Sequence, residues 1–386
     1  MIVFFGNTLN RHQCYVSDAL YEMTNGEYIY VETLPPTKAN QAGGKKKVER
    51  AYVFEAFKSE VNYTEAVRLA CEAEVALFGA NSLVFEVERM KQKNPGLAFE
   101  VSERWLKKGW VNIFSLHLIQ NLWYHYTQRW AQKPLYKLCA SAYGAGDQYK
   151  LNTFKNRCYK WGYFTEVDEN FEPERTHLDT SISKCIPIMW CARFISWKHP
   201  ELPIRLAAKL KKAGYRFVID MYGTGEKFER IKTLSVQQKV DDVVRFMGAC
   251  SNMEILAAMR EHEIFLLTSD RNEGWGAVLN EAMSNGCTVV ASEAVGAVPF
   301  LVKDGVNGSI FISEDIDSFY DKTVYLLENA QERMKLSCEA YHTMRESWSP
   351  EKAASNLLQL IDNLTGEHYV DIKEGPCSIA EPLTRQ

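Results

Sequence analysis

The sequence predicts an α/β protein made of two Rossmann-like domains that face each other across a cleft. Short apolar, β-branched runs alternate with amphipathic stretches along the chain, as in parallel sheets with crossover helices. The length of 386 residues, with 46% hydrophobic and 24% charged side chains, favours two domains of ordinary size. A polar, acidic stretch without periodicity, residues 165–185, separates the two halves.

The first half contains four candidate strands and one clear helix. Residues 63–71 form an amphipathic pattern that brings Ala66, Leu69 and Ala70 onto one face. The lysine-rich tract 43–47 indicates a mobile loop. The predicted strands are 1–5, 28–32, 74–78 and 82–86.

The second half shows a clearer repeat of strand and helix, which predicts a doubly wound sheet in its own right. The predicted strands are 186–190, 216–222, 243–246, 263–267, 287–292 and 309–312, and the helices between and after them are 200–213, 225–234, 252–260, 276–285 and 315–329.

These patterns set the domain boundaries. We expect an N-terminal Rossmann-like domain over residues 1–165, a linker over 166–185 and a C-terminal Rossmann-like domain over 186–348. A last amphipathic helix near 350–363 and a tail make up residues 349–386.

The net charge of −4 hides an unequal distribution. Residues 1–165 hold 21 basic and 15 acidic side chains, and residues 166–386 hold 24 and 34, so the halves carry +6 and −10. The overall acidity and the lack of a recognition motif argue against a nucleic-acid-binding protein.

The ten cysteines are scattered without a CxxC pair, and several lie in apolar runs. This distribution is typical of reduced, buried thiols in a cytoplasmic protein. The apolar start is too short for a signal peptide and lacks its basic region, and no run of eighteen apolar residues occurs. We therefore expect a cytoplasmic protein without a membrane span.

The most informative motif follows the predicted strand 263–267. A loop with Gly274 and Gly276 leads into a helix, whose first N–H groups favour a phosphate or a sugar hydroxyl. Glu273 and Glu281 would lie about 12 Å apart in a continuous helix, too far to share one proton transfer. A nucleotide sugar is long enough to contact both. Two glutamates at this spacing also occur by chance, so the surrounding strand, loop and helix carry the prediction.

A second motif follows the first strand of the second half. Arg193 comes directly after the strand, and Lys198 precedes a helix. Two cations at the mouth of a sheet can neutralise a diphosphate leaving group without a metal. A pair of solvated surface charges is the open alternative, and His199 is expected to be a surface residue at a helix start.

Together these segments resemble the nucleotide-binding domain of the family-4 (group 1) retaining glycosyltransferases, enzymes of the GT-B fold that include bacterial surface-polysaccharide types. The resemblance covers about residues 186–365. Besides the two motifs above, the matching segments are 222–226, 244–248, 296–300 and 304–308.

The resemblance implies roles for individual residues. Glu281 would bind the nucleotide ribose and Glu273 the donor sugar, while Arg193 and Lys198 would bind the diphosphate. The GT-B fold implies that the last helix crosses back onto the first domain. The donor site would further include Gly274, Trp275, Gly276, Ala277, Val278 and Gly223 in the second domain, with Gly6 and Asn7 in the first.

Two other motifs predict no cofactor. Gly223 and Gly225 follow a strand as in a dinucleotide site, but Phe228 occupies the position of the third glycine. Asp315 and Asp317 have the spacing of metal-binding carboxylates, yet they read as the polar start of a helix. We expect neither a nicotinamide nor a metal.

The first domain offers candidates for the acceptor side. Gly6 and Asn7 follow the first strand, where many family members carry a Gly-Gly pair. His12 and His117 could contact the donor sugar or the acceptor, although a helix-start or interface histidine is the plainer interpretation. Ser102 and Glu103, polar between apolar neighbours, could line the cleft.

Residues 104–137 combine basic and aromatic side chains without an acidic residue. Such a mixture suits peripheral contact with an anionic bilayer at the inner face of a membrane. Core helices with inward-pointing rings are the plainer alternative. The residues concerned are Arg104, Lys107, Lys108, Arg129, Lys133, Lys137 and the tryptophans 105, 110, 123 and 130.

The expected function is transfer of a sugar, with retention, from a UDP- or GDP-linked donor to a glycan or lipid-linked acceptor, in cell-surface polysaccharide synthesis. A nucleotide-sugar epimerase of the same two-domain shape is one alternative. A non-catalytic nucleotide-sugar-binding protein is another, although Arg193, Lys198, Glu273 and Glu281 are all present.

Overall fold

A computed structural model of the chain describes residues 1–35, 48–173, 185–366 and 368–383. The loop expected at 43–47 lies outside the described residues, as does the greater part of the expected linker. The chain divides into two compact units. The first comprises Met1–Thr165 and Ser347–Gln386, and the second comprises Glu166–Glu346.

The described part of the first unit contains a seven-stranded sheet, and every neighbouring pair of strands in it is parallel. Its strands are β1 (Ile2–Gly6), β2 (Tyr28–Glu32), β3 (Val53–Glu55), β4 (Val75–Phe78), β5 (Leu97–Ser102), β6 (Leu135–Cys139) and β7 (Cys158–Lys160). The strand order is β3-β2-β1-β4-β5-β6-β7. The central strands β1 and β4 are buried throughout, as a sheet covered on both faces requires.

Helices cover this sheet, and the helix expected at 63–71 is confirmed. The α-helices are α1 (Arg11–Met23), α2 (Glu60–Glu72), α3 (Leu83–Lys91), α4 (Leu116–Thr127) and α5 (Gly144–Lys150). Short 3-10 helices occupy Ala56–Lys58, Gly109–Phe114 and Trp130–Gln132.

The strand expected at 82–86 is wrong, because this segment forms the start of α3. The hydroxyl of Ser82 donates to the carbonyl of Gly79 (2.7 Å) and closes a turn directly before the helix. A short apolar run fits a strand or a helix equally well, and the turn decides between them. The buried side chains of α3 recur at helical spacing: Phe85, Glu86, Arg89 and Met90.

The second unit contains a six-stranded parallel sheet of order β10-β9-β8-β11-β12-β13 among its described residues. Its strands are β8 (Ile186–Cys191), β9 (Phe217–Tyr222), β10 (Val244–Gly248), β11 (Ile264–Leu267), β12 (Thr288–Ser292) and β13 (Ser309–Phe311). These confirm all six expected strands of this half. Each unit has its own apolar core, which confirms two Rossmann-like α/β domains.

The helices of the second unit alternate with its strands. They are α6 (Glu201–Lys212), α7 (Phe228–Gln237), α8 (Asn252–Glu261), α9 (Val278–Ser284), α10 (Val298–Leu301), α11 (Ile316–Glu328) and α12 (Ala330–His342).

The last helix, α13 (Pro350–Thr365), belongs to the first unit and packs against α1. The hydroxyl of Ser349 accepts from the backbone N–H of Lys352 (3.1 Å) and caps its start, and Gly366 ends it in the left-handed conformation. The expected return of the C-terminal helix to the first domain is thereby confirmed.

Two further expectations concern the whole chain. None of the described helices is both long and apolar enough to cross a membrane. All ten cysteines are free, but the expectation that they are buried holds for Cys14, Cys139, Cys287 and Cys377 alone. Cys185 and Cys250 are exposed, because they lie in loops at strand ends and not in the apolar runs.

Each sheet has one point where the strand order reverses direction, between β1 and β4 in the first unit and between β8 and β11 in the second. In open α/β sheets, ligands bind beyond the carboxyl ends of the strands at such a point. The predicted motifs of the second unit follow β8 and β11 directly, so they share this position.

Candidate active site

Two loops meet at the reversal point of the second sheet, one after β8 and one after β11. The indole N–H of Trp190 donates to the hydroxyl of Thr268 (2.8 Å), which donates in turn to the carbonyl of Lys198 (2.6 Å). The N–H of Asp270 donates to the carbonyl of Trp197 (2.9 Å). These bonds fix the backbone of one loop against the other, and with it the side chains that the loops carry.

Lys198 and Glu273 form an ion pair across the two loops, with the lysine ammonium donating to the glutamate carboxylate. Their side chains are only 12% and 17% exposed, so water screens the pair less than a surface pair. Arg193 lies at the exposed edge of the same loop, with its guanidinium 5.8 Å from the ring centre of Trp197. The three residues predicted to act on the sugar and the diphosphate thus occupy the two loops of one reversal point.

His199 is more than the surface residue that the sequence suggested. Its ring contacts the carboxylates of Glu201 (Nδ1 to Oε1, 3.0 Å) and Asp270 (Nε2 to Oδ2, 3.2 Å), and its side chain is 15% exposed. The hydrogen bond with Glu201 is the largest cause that raises the pKa of His199, and the bond with Asp270 adds to it. The histidine therefore ties the loop after β8 to the loop after β11, beside the ion pair.

Among the described residues, one group has the composition of a metal site. The ligand atoms of His199, Asp270 and Glu314 lie within 4.8 Å of one another. An imidazole with two carboxylates suits Zn²⁺ or Mn²⁺ by ligand type. The contact with Glu201 would hold the second ring nitrogen, as partners of metal-bound histidines do.

The acid pair at 315 and 317 is the polar start of a helix. The carboxylate of Asp315 accepts from the backbone N–H groups of Asp317 (2.9 Å) and Ser318 (3.1 Å), which caps α11. The carboxylate of Asp317 accepts from Lys209. This confirms the interpretation of the pair as a helix start.

The loop between Glu273 and α9 brings backbone, not side chains, to the site. Trp275 is fully buried, with its indole N–H donating to Asn280 (2.9 Å). Gly276 has φ +93°, and a Cβ there would lie 3.0 Å from Val295 and 3.4 Å from Glu273. Glycine at this position therefore lets the chain pass directly beside the Glu273 side chain. Ala277 and Val278 continue this loop into the first turn of α9.

Glu281 lies in α9 and is 6% exposed. Its carboxylate accepts from the side-chain amide of Asn252, the first residue of α8 (3.3 Å). The start of α8 is fixed by a capping box in which Ser251 and Glu254 exchange hydrogen bonds. Asn252 is a contact of this site that sequence reasoning missed, because nothing near it in sequence points to Glu281.

Gly223 has a structural reason to be glycine. Its φ is +121°, and a Cβ would lie 2.1 Å from the carbonyl oxygen of Ala192. Gly225 packs in the same way against Phe194. The loop after β9 thus packs closely against the backbone of the loop that carries Arg193, and this contact helps to fix the position of that loop.

The predicted residues of the first unit fall at two places. Gly6 is the last residue of β1 and Asn7 follows it at the reversal point of that sheet, where the amide of Asn81 donates to the side-chain oxygen of Asn7. A Cβ at Gly6 would lie 2.2 Å from the hydroxyl of Tyr30, so the absent side chain makes room for this ring.

The second place is a cavity of about 300 Å³ beside the start of α4. It gathers three of the predicted acceptor-side residues, Ser102, Glu103 and His117, and its further lining includes Arg104, Trp105, Lys107, Asn112, Ser115, Leu118 and Asn121.

His12, the fourth of the predicted acceptor-side residues, is linked to Glu103 in this cavity through a tyrosine. The rings of His12 and Tyr163 stack with their centres 6.1 Å apart, and the Tyr163 hydroxyl donates to Glu103 (2.9 Å). Glu103 also accepts from Lys107. Tyr163 was missed in the sequence because only the tertiary fold brings it between residues so distant along the chain.

Two of the cations that the sequence assigned to a surface are internal. Lys137 is fully buried and pairs with Glu100, with its ammonium 4.6 Å from the ring centre of Trp105, which lines the cavity. Arg104 pairs with Asp147 (3.0 Å). The expectation that all cations of residues 104–137 lie on a surface is therefore wrong for Lys137 and Arg104. The physical reason is that each buried carboxylate requires a partner.

Residues 186–343, which all lie in the second unit, match the family model "Glycosyl transferases group 1". The chain is 25% identical over 183 residues to the poly(glycerol-phosphate) alpha-glucosyltransferase of Bacillus subtilis. This match covers 47% of the chain but 26% of the relative, so the chain spans about a quarter of that protein.

Two solved structures share the fold at low sequence identity. HepE (Alr3699) of Anabaena, in complex with UDP, is 14% identical, with a TM-score of 0.70 over 94% of this chain and 99% of that one. The lipopolysaccharide outer core galactosyltransferase WaaB is 15% identical, with a TM-score of 0.67 over 95% of this chain and 99% of that one. Each match covers more than nine-tenths of this chain, so both units have counterparts in these solved structures.

Proposed function

We propose that the chain is a glycosyltransferase that moves a sugar, with retention, from a nucleoside diphosphate sugar to a glycan or lipid-linked acceptor. The observation that carries the proposal is the Lys198–Glu273 ion pair at the reversal point of the second sheet, with Glu281 on the helix that follows. A cation for the diphosphate, one carboxylate for the donor sugar and another for the ribose are the groups that a ligand with a diphosphate between two sugars requires.

In the proposed donor complex, Lys198 and Arg193 bind the diphosphate and Glu281 binds the ribose hydroxyls. Lys198 is paired with Glu273, so a bound diphosphate competes with Glu273 for the lysine ammonium. The Glu273 carboxylate is then available to accept hydrogen bonds from the donor sugar hydroxyls. The backbone of residues 274–278 follows the diphosphate. Donor binding thus replaces Glu273 by the diphosphate as the partner of Lys198, and in this way makes Glu273 available to the donor sugar.

The reaction that we propose exchanges one bond at the anomeric carbon. The acceptor hydroxyl forms a new C–O bond on the face from which the nucleoside diphosphate departs, and its proton passes to a departing phosphate oxygen. Negative charge grows on the diphosphate as the old bond breaks, and Lys198 and Arg193 stabilise it more in the transition state than in the ground state. Retention follows because both bonds lie on one face.

We propose that this chemistry uses no metal, since two cationic side chains supply the charge that a divalent ion would supply. On this view the group at His199, Asp270 and Glu314 holds two loops together and binds no ion in the reaction. Enzyme dialysed against EDTA should keep its transfer rate. A rate that falls and returns with Mn²⁺ or Zn²⁺ would instead assign this group a metal.

For the donor and the pathway, the proposal draws on the similar proteins. HepE is solved with UDP, so UDP-sugars are the first donors to test, followed by GDP-sugars. The names of the Bacillus and WaaB proteins refer to polymer and lipopolysaccharide acceptors, which supports a role in cell-surface polysaccharide synthesis. Ten free thiols fit a reducing, cytoplasmic location.

A thermal-shift screen against UDP, GDP and their sugars tests donor binding, because a ligand at a hundred times its Kd stabilises by about 2.7 kcal/mol. The stabilising donor is then incubated with and without saccharide or lipid-linked acceptors. Acceptor-dependent release of the nucleoside diphosphate supports the proposal. Formation of an epimer from the donor alone would support the epimerase, and binding without turnover would support a non-catalytic role.

A further inference from the structure

The segment 110–126 exposes an unusual amount of apolar side chain. Of the 24 exposed large apolar side chains among the described residues, eight lie in these seventeen positions. Six of them form what we call the apolar ridge: Trp110 (59% exposed), Val111 (67%), Phe114 (80%), Leu116 (84%), Ile119 (49%) and Trp123 (50%). A concentration of this kind marks an interaction site, whereas single exposed apolar residues are ordinary.

Helix α4 packs against the core on one side and exposes large apolar side chains on another. Leu116, Ile119 and Trp123 recur at spacings of three and four residues and form an exposed stripe. The buried positions of the same helix are Leu118, Asn121 and His125. Burial lowers the pKa of His125 to about 4, which keeps its ring neutral at physiological pH. This helix therefore buries two polar side chains beside Leu118, while the ridge side chains Leu116, Ile119 and Trp123 stay exposed.

Two of the four tryptophans that suggested a membrane contact are core residues. Trp105 and Trp130 are buried, with Trp130 stacked on Tyr124, while Trp110 and Trp123 are exposed. Core packing thus accounts for two of these tryptophans, and the other two belong to the ridge.

The charged residues that flank the ridge along the chain are positive. Lys108 precedes the 3-10 helix Gly109–Phe114 and is exposed, and Arg129 follows α4 and is exposed. No acidic residue occurs from position 104 to position 146. Cations beside exposed indole rings are typical of surfaces that sit at the boundary of an anionic bilayer.

The cavity of the acceptor-side residues is adjacent to this ridge, because residues from the same segment line it. Asn112 and Ser115 line the cavity and alternate along the chain with the ridge residues Val111, Phe114 and Leu116. A molecule held in the bilayer by an apolar tail could therefore present its polar head to Ser102, Glu103 and His117.

We propose that the apolar ridge seats the first unit on an anionic lipid bilayer, and that the adjacent cavity receives the polar head of a lipid-anchored acceptor. The second part rests on the proposed function, and the first part does not. Among the acceptors left open above, the ridge selects the lipid-linked class. Apolar side chains supply the main attraction to the bilayer, and the exposed cations Lys108 and Arg129 add to it. Lys137 and Arg104 do not contribute, because each pairs with an internal carboxylate.

The test measures partition of the full chain into sucrose-loaded vesicles of phosphatidylglycerol and phosphatidylethanolamine. The variant Trp110→Ser/Phe114→Ser/Leu116→Ser/Trp123→Ser should lower the partition coefficient at least tenfold. The matched control, Val61→Ser/Val84→Ser/Val236→Ser/Tyr369→Ser, removes four exposed apolar side chains elsewhere and should partition like the unchanged protein. Thermal melts of both variants verify folding.

A second pair of measurements separates apolar insertion from charge. Lys108→Glu/Arg129→Glu should lower partition several-fold on anionic vesicles and little on phosphatidylcholine vesicles. Lipids brominated on the acyl chain should quench the fluorescence of Trp110, measured as the difference between the protein and its Trp110→Phe variant.

The outcomes distinguish the two proposals. Unchanged protein that does not partition into vesicles, or a ridge variant that partitions as well as the control, overturns the bilayer surface. Concentration-dependent dimers that the ridge variant abolishes, without vesicle binding, would assign the ridge to a second copy of the chain. If vesicles bind but nucleotides produce no thermal shift, the bilayer surface stands and the proposed function fails. Selective loss of transfer to vesicle-bound acceptor in the ridge variant, with nucleotide binding kept, supports the lipid-linked class.

Discussion

Replacement of Glu273 by Gln tests the partner exchange at Lys198. The structure pairs the two side chains at low exposure, so binding of a diphosphate to Lys198 must weaken this pair. Partly screened ion pairs contribute on the order of 1 kcal/mol. With glutamine at 273 this competition disappears, and we expect UDP to bind roughly three- to fivefold more tightly, which corresponds to about 0.6–1 kcal/mol.

The same change should act in the opposite direction on catalysis. The carboxamide keeps one acceptor oxygen but loses the charge that holds the sugar hydroxyls, so we expect the transfer rate to fall by roughly a hundredfold or more, in the range of a lost charged transition-state contact. Isothermal titration calorimetry with UDP and a coupled assay of nucleotide release measure the two effects. Glu261→Gln, an exposed glutamate of the same unit, is the matched control.

The prediction requires that UDP binding becomes tighter while the transfer rate falls. If Glu273→Gln binds UDP with unchanged or weaker affinity, the ammonium of Lys198 does not exchange partners. If transfer continues at the normal rate, Glu273 does not hold the donor sugar. Lys198→Met should weaken UDP binding and transfer together, because it removes the cation itself.

Three other changes probe the site. Glu281→Ala should weaken UDP binding by about 1–3 kcal/mol in calorimetry, through loss of the proposed ribose hydrogen bonds. Gly223→Ala forces a Cβ to within 2.1 Å of the Ala192 carbonyl at φ +121°, and we expect a loss of about 2 kcal/mol, or roughly 4–8 °C in Tm. His199→Gln should flatten the pH dependence of Tm: the raised pKa of His199 stabilises the fold below its ordinary value near 6.5, and this stabilisation is lost as the pH rises through the raised value.

Each of these changes has its own control. Glu281→Gln keeps an acceptor oxygen and should lose less affinity than the alanine variant. Gly214→Ala also places alanine at a positive φ (+84°), but its Cβ would meet nothing within 4 Å, so a Tm drop as large as that at position 223 would remove the packing argument. A His199→Gln melt that keeps the full pH dependence would assign that dependence to other groups.

Much of the second unit could be predicted from local sequence. Its strands are short apolar runs separated by helices of ordinary length, and β-branched residues in such runs have one favourable environment, a buried parallel sheet. The first unit was harder, because β5 carries Glu100 and β6 carries Lys137 inside their apolar runs. These charges neutralise each other only when the two strands lie side by side, which no single stretch of sequence reveals.

The sequence by itself determined the α/β class, the six strands of the second half and the candidate residues Glu273, Glu281, Arg193 and Lys198, since each depends on neighbours within a few positions of the chain. Only the tertiary structure decided their partners. It paired Lys198 with Glu273, joined His199 to Asp270, and connected His12 to Glu103 through Tyr163.

The basic, tryptophan-rich stretch shows the same division. Composition established that cations and indole rings are concentrated between residues 104 and 137. Whether a given side chain faces water or the core depends on the elements packed against it, so the fold alone decided that Trp105 and Lys137 are internal while Trp110 and Trp123 are exposed. Local pattern determines what a segment can form, and long-range packing decides which of its side chains remain available for binding.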